Sequence, residues 1–128
     1  DDMLPRADFV ITTVPHTPET EGTFNDRRFR LMKDSAYFIN IGRGKVCKID
    51  DLADAIEGGV IAGCGLDVFE EEPLPADSPL WRAPGVLVTP HIAGVTHVAE
   101  AGEAFLEALV HLEAGEPVPL AVDPARGY

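Results

Sequence analysis

Ile39-Asn40-Ile41-Gly42-Arg43 is the stretch from which the fold can be read. It closes the run Ser35-Ala-Tyr-Phe-Ile-Asn-Ile, apolar and β-prone, which stops at Gly42-Arg43-Gly44. A short apolar run ended by glycines is a buried strand that hands its last residues to a loop. In open parallel sheets ligands bind outside the carboxyl ends of the strands. An arginine held there between two glycines is a candidate anion holder. Two later strands end in comparable residues, Asp67 to Glu72 after one and His91 after another. Arg43, Glu72 and His91 are therefore expected to converge on one site.

Working outward, Phe9–Val14 is a β-branched first strand, preceded by Asp8 and ended by Pro15. Asn25 can cap a helix through about Lys33, with Phe29 and Met32 on one face. Ala36–Ile41 is the second strand. Asp50 or Asp51 opens a second helix that ends at Gly58-Gly59. Val60–Val68 is the third strand, Phe69–Pro84 an acidic, proline-rich loop, and Val86–Val88 a fourth, short strand. Thr96 leads into the longest helix, about His97 to Ala114, stopped by Gly115. Strands alternating with helices give parallel β-α-β units. The strands lack polar/apolar alternation, which fits a sheet covered on both faces. The expected fold is α/β, a parallel sheet with helices on both faces. Its strand ends then share one edge.

The 128 residues carry a net charge of −12, the wrong sign for a nucleic-acid or anionic-membrane partner. Two cysteines, Cys47 and Cys64, make no disulfide framework and lack metal-site spacing with any histidine, so no metal is expected. With no signal peptide and no run of about 20 apolar residues, the expected setting is a reducing cytoplasm. The opening Asp1-Asp-Met-Leu-Pro-Arg-Ala-Asp8 reads as the end of a connection, so the chain is expected to be part of a longer protein.

Gly42-Arg-Gly-Lys-Val-Cys47 follows a strand and resembles the phosphate-cradling G-x-G-x-x-G turn. The third glycine, which lets helix and strand pack closely, is a cysteine here. It is read as no cradle. Arg43 offers a planar fork that fits a carboxylate with two hydrogen bonds. His91, after a strand and Pro90, can pass a proton in either direction near neutral pH. His16, His97 and His111 compete with it. A carboxylate touching His91 would fix its orientation, but spacing cannot choose among Glu70, Glu71 and Glu72. Asp67 ends an apolar strand, where a carboxylate is costly unless paired or facing a cleft. Glu100, Glu103, Glu107 and His111 form a helical stripe that an exposed face explains.

Four blocks together resemble the D-isomer-specific 2-hydroxyacid dehydrogenases. They are Val14-Pro-His-Thr-Pro-Glu-Thr, Phe38-Ile-Asn-Ile-Gly-Arg-Gly, Gly65-Leu-Asp-Val-Phe-Glu-Glu-Glu-Pro-Leu-Pro and Thr89-Pro-His-Ile-Ala-Gly. They stand in family order and cover nearly the whole chain, as the second half of such an enzyme. The resemblance implies a Rossmann-like domain lacking its first β-α-β unit. It implies hydride transfer between NAD or NADP and a small 2-keto/2-hydroxy acid. Arg43 would bind the substrate carboxylate and carbonyl, His91 would be the acid/base, and Glu72, directly before Pro73, would pair with His91. Val14, Pro15, Ile41, Gly42, Asp67, Ala93 and Gly94 would lie along the cofactor, with Arg43 and His91 beside it. Residues 1–96 would end a dinucleotide-binding domain. Residues 97–128 would be a helix and tail returning to a substrate domain. The glycine turn would lie about thirty to sixty residues before Asp1, and the chain alone would bind dinucleotide weakly. A homodimer is implied.

The run Leu74-Pro-Ala-Asp-Ser-Pro-Leu-Trp81 is most similar to the glyoxylate/hydroxypyruvate-reducing branch. The alternative is a dehydrogenase-like, NAD-sensing co-repressor or binding module without turnover, since such relatives keep the same triad. A receiver-like signalling module would need acidic residues after the first strand, and Val14-Pro15 offers none.

Overall fold

The computed structural model describes residues 1–125 and divides into two compact units, Asp1–Ala93 and a second that starts at Gly94. The first unit holds β1 (Phe9–Thr12), α1 (Asp26–Phe29), β2 (Tyr37–Asn40), α2 (Ile49–Glu57), β3 (Gly63–Leu66) and β4 (Val86–Val88). A single 3₁₀ turn, Leu4–Arg6, precedes β1, and two more, Gly44–Val46 and Pro79–Trp81, lie in the connections from β2 to α2 and from β3 to β4. The strands form one sheet in the order β1-β2-β3-β4, every pair parallel. This is the Rossmann-like α/β arrangement expected from the alternation of strands and helices.

Register decides where the site can be. Thr12 lies opposite Asn40, Asn40 opposite Leu66, and Leu66 opposite Val88. All four strands thus stop on one line, and the chain leaves each at the same edge. Neighbouring strands sit about 4.8 Å apart, so β2 and β4 deliver their last residues roughly 10 Å from each other.

One face of the sheet is the core. Phe38, Cys64 and Leu66 pack there with Phe29 of α1 and Leu52, Ala55 and Ile56 of α2. Phe29 meets Phe38 edge-on with ring centroids 5.3 Å apart, and Phe24 lies 4.7 Å from Phe38. Burying such side chains stabilises by about 1.5–3 kcal/mol each. The opposite face carries Phe9, Ile11, Tyr37 and Leu87, all exposed, so helices of this unit cover one of the two faces.

Several boundaries differ from the expected ones, each for a visible reason. Asn25 does cap α1, accepting from the Arg28 N–H, but the helix ends at Phe29 rather than near Lys33. Beyond it Leu31 and Met32 bond three residues back, to Arg28 and Phe29, so the chain tightens into turns. Neither Asp50 nor Asp51 opens α2, which starts at Ile49 with Lys48 at its cap position. Asp51 instead accepts from the Asp26 N–H of α1, and Glu70 accepts from the Ile49 N–H, so each helix start is closed by a remote carboxylate. β3 is shorter than Val60–Val68 because the N–H groups of Val60 and Ile61 turn back to the Ala55 carbonyl and finish α2. The fourth strand has the bounds read from the sequence.

In the second unit, α3 (Val98–Ala114) buries no residue, and the Glu100, Glu103 and Glu107 stripe is exposed. Gly115 ends it with φ +71, which an L side chain resists.

Candidate active site

The edge is built by four loops that bind one another. After β2, the buried amide of Asn40 clamps the turn, accepting from the Gly42 N–H and donating to the Arg43 carbonyl, both at 3.1 Å. Gly42 abuts the end of β1: a Cβ there would lie 2.8 Å from the Val14 carbonyl oxygen. Gly44 abuts the loop after β3: a Cβ there would lie 1.8 Å from the Phe69 carbonyl oxygen. The two glycines seat the arginine-bearing turn against both neighbouring strand ends. Gly44 is thus filled by protein backbone, and Gly42 to Cys47 makes no phosphate cradle.

Asp67 leaves β3 as a buried carboxylate, 3% exposed. It takes hydrogen bonds from the Thr89 hydroxyl, the Ile92 N–H and the Ala93 N–H. Its carbonyl also takes the His91 N–H at 2.9 Å. Desolvation pushes this carboxyl upward, but the bonds from Thr89, Ala93 and Ile92 together outweigh it and hold the group below its ordinary range. One anion therefore ties the whole loop after β4 and holds His91 at φ +55, a backbone region few side chains adopt.

In that loop the His91 ring meets Glu72, with Nδ1 2.8 Å from Oε2. An ionised carboxylate only accepts, so Nδ1–H donates. The other carboxylate oxygen of Glu72 accepts from the Phe69 N–H at 3.0 Å. His91 first, then this backbone bond, draw Glu72 below the usual glutamate range. The imidazole is exposed and its Nε2 is left to meet a ligand. A histidine fixed at one nitrogen by a carboxylate and open at the other can give and take a proton.

The structure thus brings Glu72 and His91 into contact and ties the His91 N–H to the Asp67 carbonyl. Arg43 leaves the same edge, but its guanidinium donates to the Gly42 carbonyl at 2.8 Å rather than to either of them. Val14 and Ile41 are apolar and exposed just past the ends of β1 and β2. Pro15 is exposed, with its carbonyl taken by the Thr20 hydroxyl. Ala93 acts through its N–H on Asp67, and Gly94 begins the second unit. His16 pairs with Glu21 at 3.0 Å, away from Glu72 and His91 in hydrogen bonding. Asn40, Thr89 and the Phe69 backbone escaped the sequence reading. Asn40 was visible as a lone amide inside an apolar strand, where a buried polar group demands partners.

Cys47 and Cys64 are buried and unpaired. Burial pushes the Cys64 thiol up to about 12 and Cys47 well above its ordinary value, which disfavours the reactive thiolate at neutral pH. Among the described residues no group of three or more His, Cys, Asp or Glu is placed to hold a metal. No helix among them is long and apolar enough to cross a membrane.

A family model described as D-isomer specific 2-hydroxyacid dehydrogenase, NAD binding domain, matches residues 1–93. Among solved structures, a D-isomer specific 2-hydroxyacid dehydrogenase from Xanthobacter autotrophicus Py2, in complex with NADPH and MES, is 44% identical with a TM-score of 0.91. A probable 2-hydroxyacid dehydrogenase from Rhizobium etli CFN 42, in complex with NADP, HEPES and tartaric acid, is 36% identical with a TM-score of 0.86. An NADPH-dependent glyoxylate/hydroxypyruvate reductase from Sinorhizobium meliloti, in complex with NADP and sulfate, is 36% identical with a TM-score of 0.90. Each match covers 99% of this chain, which spans 54% of the first relative and 42% of the other two.

Proposed function

Because this chain belongs to the D-isomer-specific 2-hydroxyacid dehydrogenase family, through its NAD-binding domain, we propose that it carries the acid/base half of a 2-keto acid reductase. The observation that carries the reading is the Glu72–His91 pair at the carboxyl edge of a parallel sheet, with Arg43 on the same edge.

NADH or NADPH would supply the hydride to the carbonyl carbon of the keto acid. The His91 imidazolium gives the proton on Nε2 to the carbonyl oxygen, yielding a 2-hydroxy acid, and takes it back in the reverse oxidation. Glu72 holds the ring through Nδ1 and offsets the positive charge. Arg43, released from the Gly42 carbonyl, grips the substrate carboxylate with its fork; charge-assisted bonds of this kind contribute roughly 1.5–3 kcal/mol each. Val14, Pro15, Ile41, Gly42, Asp67, Ala93 and Gly94 line the cofactor's path. Residues 1–96 are read as the end of a dinucleotide-binding domain and 97–128 as a helix and tail toward a substrate domain. The setting is the cytoplasm and the assembly a homodimer. Glyoxylate and hydroxypyruvate are the first substrates to try, since a reductase of both is among the similar structures.

The test is loss of reduced-nicotinamide absorbance when the protein carrying this chain meets NADH or NADPH and either keto acid. Keto-acid-dependent oxidation with a D-hydroxy acid as product supports the reading. Tight dinucleotide binding without turnover would move the protein to a sensing role.

A further inference from the structure

Beside His91 lies a recess that catalysis by Glu72 and His91 does not require. It measures about 230 Å³, and its walls are Phe69, Pro73, Leu74, Trp81 and Val88. Its polar side is the Glu72–His91 pair, together with Thr89, whose hydroxyl is already committed to Asp67. Trp81 is held in place by its indole N–H, which donates to the Pro75 carbonyl at 2.8 Å, while half of the residue stays exposed. Clefts that swallow a whole ligand run to about 300–1,000 Å³, so this one has room for part of a ligand. The part is apolar, because apart from the Glu72–His91 pair and the committed Thr89 every side chain lining the recess is apolar or aromatic.

We infer that this recess is a subsite for the aliphatic side chain of a 2-oxo acid whose carbonyl oxygen meets His91. It rests on the reductase reading above and narrows it, from the smallest oxo acids to those with a branched chain of about four carbons. His91 lines the recess, so a substrate carbonyl held by its imidazole has the adjoining side chain beside these walls, and Trp81 and Leu74 then decide how long a chain fits. Glyoxylate, with no side chain, gains nothing from these walls. Each methylene that enters strengthens binding roughly fourfold. Three carbons beyond pyruvate, as in 4-methyl-2-oxopentanoate, give a preference of about 60-fold.

Trp81 is the one tryptophan of the chain, so its fluorescence reports on the recess directly. The chain is titrated with glyoxylate, pyruvate and 4-methyl-2-oxopentanoate, and the same acids are offered with NADH and NADPH to the protein carrying the chain. The expected result is a saturable change of Trp81 emission with 4-methyl-2-oxopentanoate, at tens-fold lower concentration than with pyruvate, and a parallel order in kcat/KM. Leu74→Trp, which fills the recess, should abolish the kcat/KM preference and leave glyoxylate turnover within about twofold. Trp81→Ala, which widens it, should shift the optimum toward longer chains, so a folding failure of one variant leaves the other to decide. Turnover that favours glyoxylate while Trp81 emission stays flat would overturn the subsite and leave the reductase reading standing. Saturable emission changes without any turnover would keep the subsite and sink the reductase.

Discussion

Gly44→Ala is the perturbation whose consequence the structure fixes best. The added Cβ would sit 1.8 Å from the Phe69 carbonyl oxygen, 1.9 Å from its carbon and 2.6 Å from the Glu70 nitrogen. Ordinary contact begins at 3.4 Å, so the shortfall is about 1.6 Å. No flexible side chain is there to yield; backbone must move. Overpacking of this kind costs about 1–3 kcal/mol, and the contact of backbone on both sides puts this case at the upper end. Gly44 does not hold a positive φ, so the substitution also gains about 0.4–1 kcal/mol by restricting the unfolded chain. A net loss of roughly 1–2.5 kcal/mol follows. The loop that moves holds the Phe69 N–H bond to Glu72 and the Glu70 bond to the start of α2. The assay is urea unfolding with amide spectra of Phe69 and Ile49, and Gly94→Ala, where nothing lies within 4 Å, is the control. If Gly44→Ala matched the control in stability and left both amides unshifted, the packing of the arginine turn on the Glu72 loop would be refuted.

Asp67 and Glu72 are both held below their ordinary carboxylate values in the fold. Their contribution to stability is therefore complete above the unfolded range near pH 4 and is lost as pH falls through the lower folded values. The urea midpoint should be flat from pH 6 to about 5 and drop below about 4, and less steeply in Asp67→Asn/Glu72→Gln; equal slopes would remove the assigned cause. Gly102→Ala, inside α3 with nothing near its Cβ, should raise helix stability by about 1 kcal/mol. Gly115→Ala, at φ +71, should lower it by about 1–2 kcal/mol, both read from thermal melting by circular dichroism. Cys47 and Cys64 should resist thiol reagents at pH 7 to 8 until denaturant is added; rapid labelling of the native chain would contradict their burial.

What the sequence made legible was whatever depends on neighbours along the chain. Val86–Val88 as a strand, Asn25 as a cap and Gly115 as a stop need only local chemistry, and all three stand in the structure. The start of α2 was misread because its first N–H is satisfied by Glu70, twenty-one residues away, while Asp51 serves α1 instead. The length of β3 was misread because Val60 and Ile61 are needed to finish α2. At the site, the common strand edge followed from parallel topology alone. The three adjacent glutamates could not be told apart by spacing; in the structure Glu70 goes to Ile49 and Glu72 to His91. Asp67 was readable as a carboxylate that must be paired, but its partners, Thr89 and two backbone N–H groups, lie twenty-two to twenty-six residues on. The role of the Asn40 amide depends on its burial and on the Gly42 N–H and Arg43 carbonyl that turn back to it, which the apolar pattern of the strand does not encode.

The measurement that tests the site most directly is a double-mutant cycle on kcat in the protein carrying this chain, with NADPH and a 2-oxo acid. His91→Gln should lower kcat by about 10²–10⁴-fold, the usual worth of a placed acid/base. Glu72→Gln should lower it less, and in the His91→Gln background should cost nothing further, because Glu72 works only through the imidazole it holds. Losses that simply multiply, or a His91→Gln enzyme within a few-fold of wild type, would contradict the pair as the proton-transfer unit.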